Sequence, residues 1–167
     1  VDAGASGVLT TCIPTGIEAL DEEIAGNAIG ELTFYLSLPG VGKSTVFGSA
    51  VRNMAKKAAR AAAQNAAGAS PPVPVDDVGI FSMEDLATWL PRRMLAEASD
   101  IPLFVLQKGF SRTPFTDGQM QRFGDAAGEV FELSEHYVAD ERNMLTVDQI
   151  IQSAREMKRQ RERMGRR

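Results

Sequence analysis

Lys43 and Ser44 stand directly behind two glycines in the run Ser37-Leu-Pro-Gly-Val-Gly-Lys-Ser-Thr45. An ammonium and a hydroxyl placed together after a glycine-rich turn are the groups that a nucleoside triphosphate and its Mg²⁺ require. Lys43 would reach the β- and γ-phosphates, and the Ser44 hydroxyl would ligate Mg²⁺. The backbone N–H groups of the turn and of the following helix would face the bound anion. The nucleotide site would then comprise Ser37, Pro39, Gly40, Val41, Gly42, Lys43, Ser44 and Thr45. One position departs from the pattern G-x-x-x-x-G-K-[ST]: Ser37 stands where a glycine is usual, which removes no phosphate contact. The competing reading is a chance loop with a solvated Lys43.

Such a loop works only between a strand and a helix. Glu31-Leu-Thr-Phe-Tyr-Leu36 has the β-branched and aromatic content of a buried strand. Behind the loop, Val46, Phe47, Ala50, Val51, Met54, Ala55 and Ala58 recur at helical spacing. This helix is expected to reach about Ala67, with an alanine-rich end that has little to bury. Before the loop, Thr15 to Ile24 reads as a short helix. After it, Gly68 to Pro74 reads as an extended linker, because three prolines in four positions cannot continue a helix.

A second strand is expected at Val78 to Ser82, then a helix from about Asp85 to Ala98, broken or bent at Pro91. A polar loop from Lys108 to Pro114 leads to a helix over Thr116 to Phe131 and a third strand over His136 to Ala139. The last helix, Thr146 to about Met164, is expected to bury Val147, Ile150, Ile151, Ala154 and Met157 behind an N-cap at Thr146. Strands alternating with helices predict an α/β fold with a mainly parallel sheet flanked by helices.

The second strand ends at Met83-Glu84-Asp85. Ligands of open α/β sheets bind beyond the carboxyl ends of strands. If the two strands are neighbours, Glu84 would face the γ-phosphate and could deprotonate the attacking water. An acid favoured by a helix N-terminus is the equal alternative. Two further aspartates, Asp77 and Asp140, are assigned no Mg²⁺-holding role.

Composition narrows the classes. The 167 residues are 44% apolar and 24% charged, as in ordinary globular proteins. No apolar run approaches the roughly 18 residues of a membrane span. Residues 1–10 read as a flexible segment without signal-peptide character, and the absent initiator Met reads as a cut or processed end. A lone Cys12 excludes an internal disulfide and suits a reducing, cytoplasmic setting. His136 is the only histidine and reads as structural. The net charge of −4 hides a division: residues 155–167 carry seven basic and two acidic residues, +5, leaving −9 elsewhere. The basic stretch reads equally as a nucleic-acid contact or as a solvated face.

Thr15-Gly16, Leu20-Asp21 and Ala25-Gly26, the phosphate loop, and Phe81-Ser-Met-Glu84 together resemble the C-terminal motor domain of DnaB-type replicative DNA helicases. Met83 and Asp85 stand where that family has Leu and Met. The resemblance continues through Arg93-Met-Leu95, Ile101-Pro102 and Tyr137-Val-Ala-Asp140, so it covers nearly everything from Thr11 onward. It implies a RecA-like ATPase, here an incomplete core over 11–167. It implies ATP and Mg²⁺ as cofactors, hydrolysis coupled to movement on single-stranded DNA, and a homo-oligomeric, hexameric ring. By position, it makes Lys43 the phosphate ligand, Ser44 the Mg²⁺ ligand and Glu84 the catalytic base. Arg92 and Arg93 receive no role. The family pattern continues with a Walker B strand, DNA-binding loops and an arginine finger, none of which lies within this sequence. A stand-alone nucleotide-binding or regulatory module is the other expectation.

Overall fold

The helix that the sequence marks most strongly, α2 (Lys43–Ala66), is the spine of the fold. In this computed structural model, the structure describes residues 12–28, 30, 32–82, 86–108, 114–140, 142 and 145–166. The expected flexible segment 1–10 therefore lies outside the described residues. Around α2 stand β1 (Cys12–Ile13), α1 (Glu18–Ile24) and β2 (Asn27–Ala28) on its N-terminal side. After it come β3 (Val78–Phe81), α3 (Leu86–Ser99), α4 (Leu103–Lys108), α5 (Asp117–Leu133), β4 (Tyr137–Asp140) and α6 (Val147–Arg163). A single 3₁₀ turn, Ser134–His136, joins α5 to β4.

Two small sheets form among the described residues. β1 and β2 pair antiparallel, with Cys12 opposite Ala28. β3 and β4 pair parallel, from Val78 opposite Tyr137 to Phe81 opposite Asp140. The parallel pairing is as expected, but a mainly parallel sheet is present only as this pair. The expected strand over Glu31 to Leu36 is not formed. Glu31 lies outside the described residues, and 32–38 carry no regular secondary structure. A strand persists only when neighbours take up its ladder hydrogen bonds, and no described strand pairs with this one. Its apolar row is correspondingly bare, with Phe34 74% and Leu36 91% exposed.

The main core lies where α2, α3 and the parallel pair meet. Val51, Ile80, Leu90 and Met94 are buried together, with Val130, Tyr137 and Trp89 packed around them. Truncating Ile80 or Met94 to Ala would cost about 2–5 kcal/mol, the usual cost of a cavity in a packed core. Of the break or bend expected at Pro91, the break is absent: α3 continues through that residue. Arg52, buried on α2, binds Glu97 of α3 at 3.0 Å and Glu129 of α5 at 2.7 Å, tying three helices. The T-x-x-Q signatures at Thr116 and Thr146 both fold as reciprocal capping boxes with Gln119 and Gln149.

Two expectations about burial are corrected. The alanine-rich end of α2 does bury a face: Ala58 and Ala61 pack under Val75, with Val73 beside them. Asn65 makes this possible, donating to the Val73 carbonyl and accepting from its N–H, both at 2.7 Å. Conversely, α6 buries none of its residues; Val147 is 72% exposed. A two-stranded sheet is too narrow to cover its apolar face. Met157 packs over Gly79 of β3, its sulfur at ordinary contact distance, 3.5 Å, from where a Cβ would stand. The remaining anchors are polar: Ser153 donates to Asp140 at 2.6 Å, and Arg161 meets Asp77 at 3.1 Å.

Candidate nucleotide site

The turn before α2 uses backbone conformations that side chains resist. Gly40 and Gly42 have φ of +80° and +97°, which glycine alone adopts at no steric cost. Nothing lies within 4 Å of where a Cβ on either would stand, so conformation rather than crowding calls for glycine. Gly42 is the N-cap of α2 and has no side chain with which to cap it. The first amide groups of the helix are therefore left for a ligand or water, at the end that favours anions. Pro39 and Val41 stand exposed on the crest, and Ser37 is exposed at the position where glycine is usual.

Lys43 closes this turn on itself. Its Nζ donates to the carbonyls of Ser37 at 2.9 Å and Leu38 at 3.2 Å. The ammonium thus lies across the loop, held among the described residues by exposed backbone carbonyls that water can replace. Ser44 is half-buried beside it, and Thr45 is exposed. Glu84, expected opposite the γ-phosphate, lies outside the described residues, as do Met83 and Asp85.

Arg93 is the residue that sequence reasoning passed over. Its Nη1 donates to the Thr45 hydroxyl at 2.6 Å, so α3 is fastened to the first turn of α2. Its guanidinium also stands 5.5 Å from the centroid of the Trp89 ring, one helical turn earlier. The Trp89–Arg93 spacing was the available signal, since residues four apart share a helix face. Arg92 is exposed, as a solvated face would have it.

The Thr15-Gly16 and Leu20-Asp21 pairs form a clamp. The Asp21 carboxylate accepts from Thr15 N, Thr15 Oγ1 and Gly16 N, each at 2.8 Å. Desolvation opposes its charge, but the hydrogen bonds from Thr15 and Gly16 hold its carboxyl below the ordinary range. Asn53 of α2 donates to the Gly16 carbonyl at 3.0 Å. Gly16 has φ +74°, and a Cβ there would fall 2.5 Å from that of Asn53. Only glycine fits, and the clamp pins the N-terminal arm to the helix that carries Lys43.

Between this arm and α2 lies a cavity of about 720 Å³. Ser37, Gly42, Lys43 and Ser44 line one end, and Val46, Phe47, Ala50 and Met54 run along its floor. Only the loop end has the chemistry to hold phosphate; elsewhere Thr15, Asn27, Thr33 and Tyr35 interrupt a largely apolar lining.

Neither uncommitted aspartate is free. Asp140 accepts from Arg142 Nε at 2.9 Å and from Ser153 at 2.6 Å. Its carboxyl is held far below the ordinary range, chiefly by Arg142 and then by Ser153. Asp77 lies at the opposite end of the parallel pair, 2.9 Å from His136 Nδ1 and 3.1 Å from Arg161. Among the described residues, no group of three or more His, Cys, Asp or Glu could hold a metal ion. His136 is structural, as expected.

Comparison with known families adds the deciding observation: the pattern of the DnaB-like helicase C terminal domain matches residues 12–165. The chain belongs to this family. The match begins at β1 and runs through α6, so it takes in the Asp21 clamp, the glycine turn and Lys43. No curated protein and no solved structure matches the chain. DnaB-like domains are nucleotide-dependent ATPases related to replicative helicases and generally need Mg²⁺. In full-length members the family implies single-stranded DNA binding and a hexameric ring. No helix among the described residues is long and apolar enough to cross a membrane.

Proposed function

We propose that this chain is the ATP-binding part of a replicative DNA helicase motor. In this reading, Ser37, Pro39, Gly40, Val41, Gly42, Lys43, Ser44 and Thr45 hold ATP, with Mg²⁺ on Ser44. The observation that carries it is the placement of Lys43: it begins a long helix behind two left-handed glycines, with uncapped amide groups around it. These residues fit a phosphate group. Lys43 exchanges two exposed carbonyls for phosphate oxygens, and the amide groups of Lys43 and Ser44 gain the acceptor that Gly42 cannot supply. Glu84, which follows β3 closely, takes the proton of the attacking water. Bound Mg²⁺ would neutralise charge developing on the transferred phosphoryl group.

The wider fold follows the same reading. The exposed Leu32, Phe34 and Leu36 row and the apolar cavity floor support a RecA-like sheet with further strands seated against them. Hydrolysis would be coupled to movement on single-stranded DNA within a homo-oligomeric ring.

The test is ATP turnover by the ring-forming protein, with and without single-stranded DNA. DNA-stimulated turnover that falls sharply in Glu84→Gln, while ATP still binds, is the expected result. Turnover indifferent to DNA would instead mark a regulatory nucleotide module. Unchanged turnover in Glu84→Gln would return that residue to a capping role.

A further inference from the structure

The division of charge seen in the sequence survives folding as a row on one helix. Among the basic residues of 155–167, Arg161 and Arg166 are engaged inward. Both lie within 3.5 Å of Asp77 and donate to the Glu135 carbonyl. Lys158 leans on Glu162 at 3.9 Å. The other acid of the stretch, Glu156, acts on Arg142. Arg155, Arg159 and Arg163 remain exposed, with no hydrogen bond or ion pair among the described residues.

These three recur every four residues. On an α-helix they rise about 6 Å per step and stay within an arc of about 80°. Met157 and Arg161, which face β3 and Asp77, lie on the other side of the helix. The row therefore points away from the protein. A small anion would engage one guanidinium, whereas a polymer of phosphates engages all three. Arginine suits this task because its planar fork pairs with phosphate oxygens in bidentate fashion.

We infer that the Arg155, Arg159 and Arg163 row on α6 is a sequence-independent track for the phosphate backbone of single-stranded DNA. It is separate from the glycine turn at Lys43. The choice of polymer rests on the function proposed above; the row's demand for a polyanion does not. The track would hold the strand by charge alone, so its affinity falls steeply with salt.

The test is fluorescence anisotropy of a labelled oligodeoxythymidylate, without nucleotide, between about 50 and 200 mM salt. The proteins are the wild type, Arg155→Gln/Arg159→Gln/Arg163→Gln, and Lys43→Ala. Gln keeps the helix propensity of Arg, so α6 is retained, and circular dichroism checks it. The triple variant is expected to bind at least tenfold more weakly at low salt. Its slope of log K against log salt should fall by about 2, the release expected from three phosphates. Lys43→Ala should leave both quantities unchanged. Equal slopes for wild type and triple variant, or no binding by the wild type, overturn the track. Arginine-dependent self-association without DNA binding overturns it too, by making an acidic protein surface the partner. Failure of ATP to bind the wild type would sink the nucleotide reading and leave this result standing.

Discussion

Arg93 and Thr45, 48 residues apart in sequence, are joined by a 2.6 Å hydrogen bond between guanidinium and hydroxyl. The bond links the helix after β3 to the first turn behind the glycine loop. It ties α3 to the residue next to Ser44.

Arg93→Ala should loosen that turn without unfolding the protein, because Arg93 lies outside the buried core. Nucleotide binding is expected to weaken roughly fivefold to tenfold, about 1 kcal/mol, in keeping with a partly exposed charge-assisted bond. Titration calorimetry with Mg-ATP measures it. Wild-type affinity in the variant would reduce the contact to a surface ornament.

Asp77 is the hub of a buried polar cluster, hydrogen-bonded to His136 and facing Arg161 and Arg166. Its Oδ2 meets the arginines as a charge contact rather than as an aligned hydrogen bond. Asp77→Ala leaves two guanidinium groups facing one another without their counter-ion. A loss of about 3 kcal/mol in urea-unfolding stability is expected, together with detachment of the α6 C-terminus. A loss below about 1 kcal/mol, as for a surface pair, would contradict it.

Asp140 predicts an acid sensitivity of known sign. Its carboxyl is depressed in the folded state, first by Arg142 and then by Ser153. A depressed carboxyl stabilises the fold above its unfolded pKa, and the contribution drains away as pH falls below about 4. Asp140→Asn should therefore be less stable than wild type at pH 7, and the difference should shrink on acidification. Unfolding curves at several pH values decide this; a gap that widens toward acid has the wrong sign.

What was legible in the sequence was local. The start of α2, the N-cap at Thr146, and both strands of the parallel pair depend on residues within a few positions of one another. The expected strand over Glu31 to Leu36 failed because a strand exists through its neighbours, and its composition does not state whether they are there. Burial of α6 failed for the same reason: helical spacing of Val147, Ile150 and Met157 describes a face but not its cover. At the site, the glycine turn could be read directly, whereas Arg93 and Thr45 meet only after β3 and α3 are in place. The role of Asp77 was hidden likewise, since its partners lie 59 or more residues away.

The central claim is that the turn ending at Lys43 binds nucleotide. Calorimetric titration of Mg-ATP into the wild type and Lys43→Ala tests it most directly. Among the described residues, the Lys43 ammonium hydrogen-bonds to two exposed carbonyls and forms no ion pair, so its removal is expected to leave the fold intact. The account predicts saturable binding to the wild type and none detectable in the variant. Equal affinity in both proteins, or no binding to either, would contradict it.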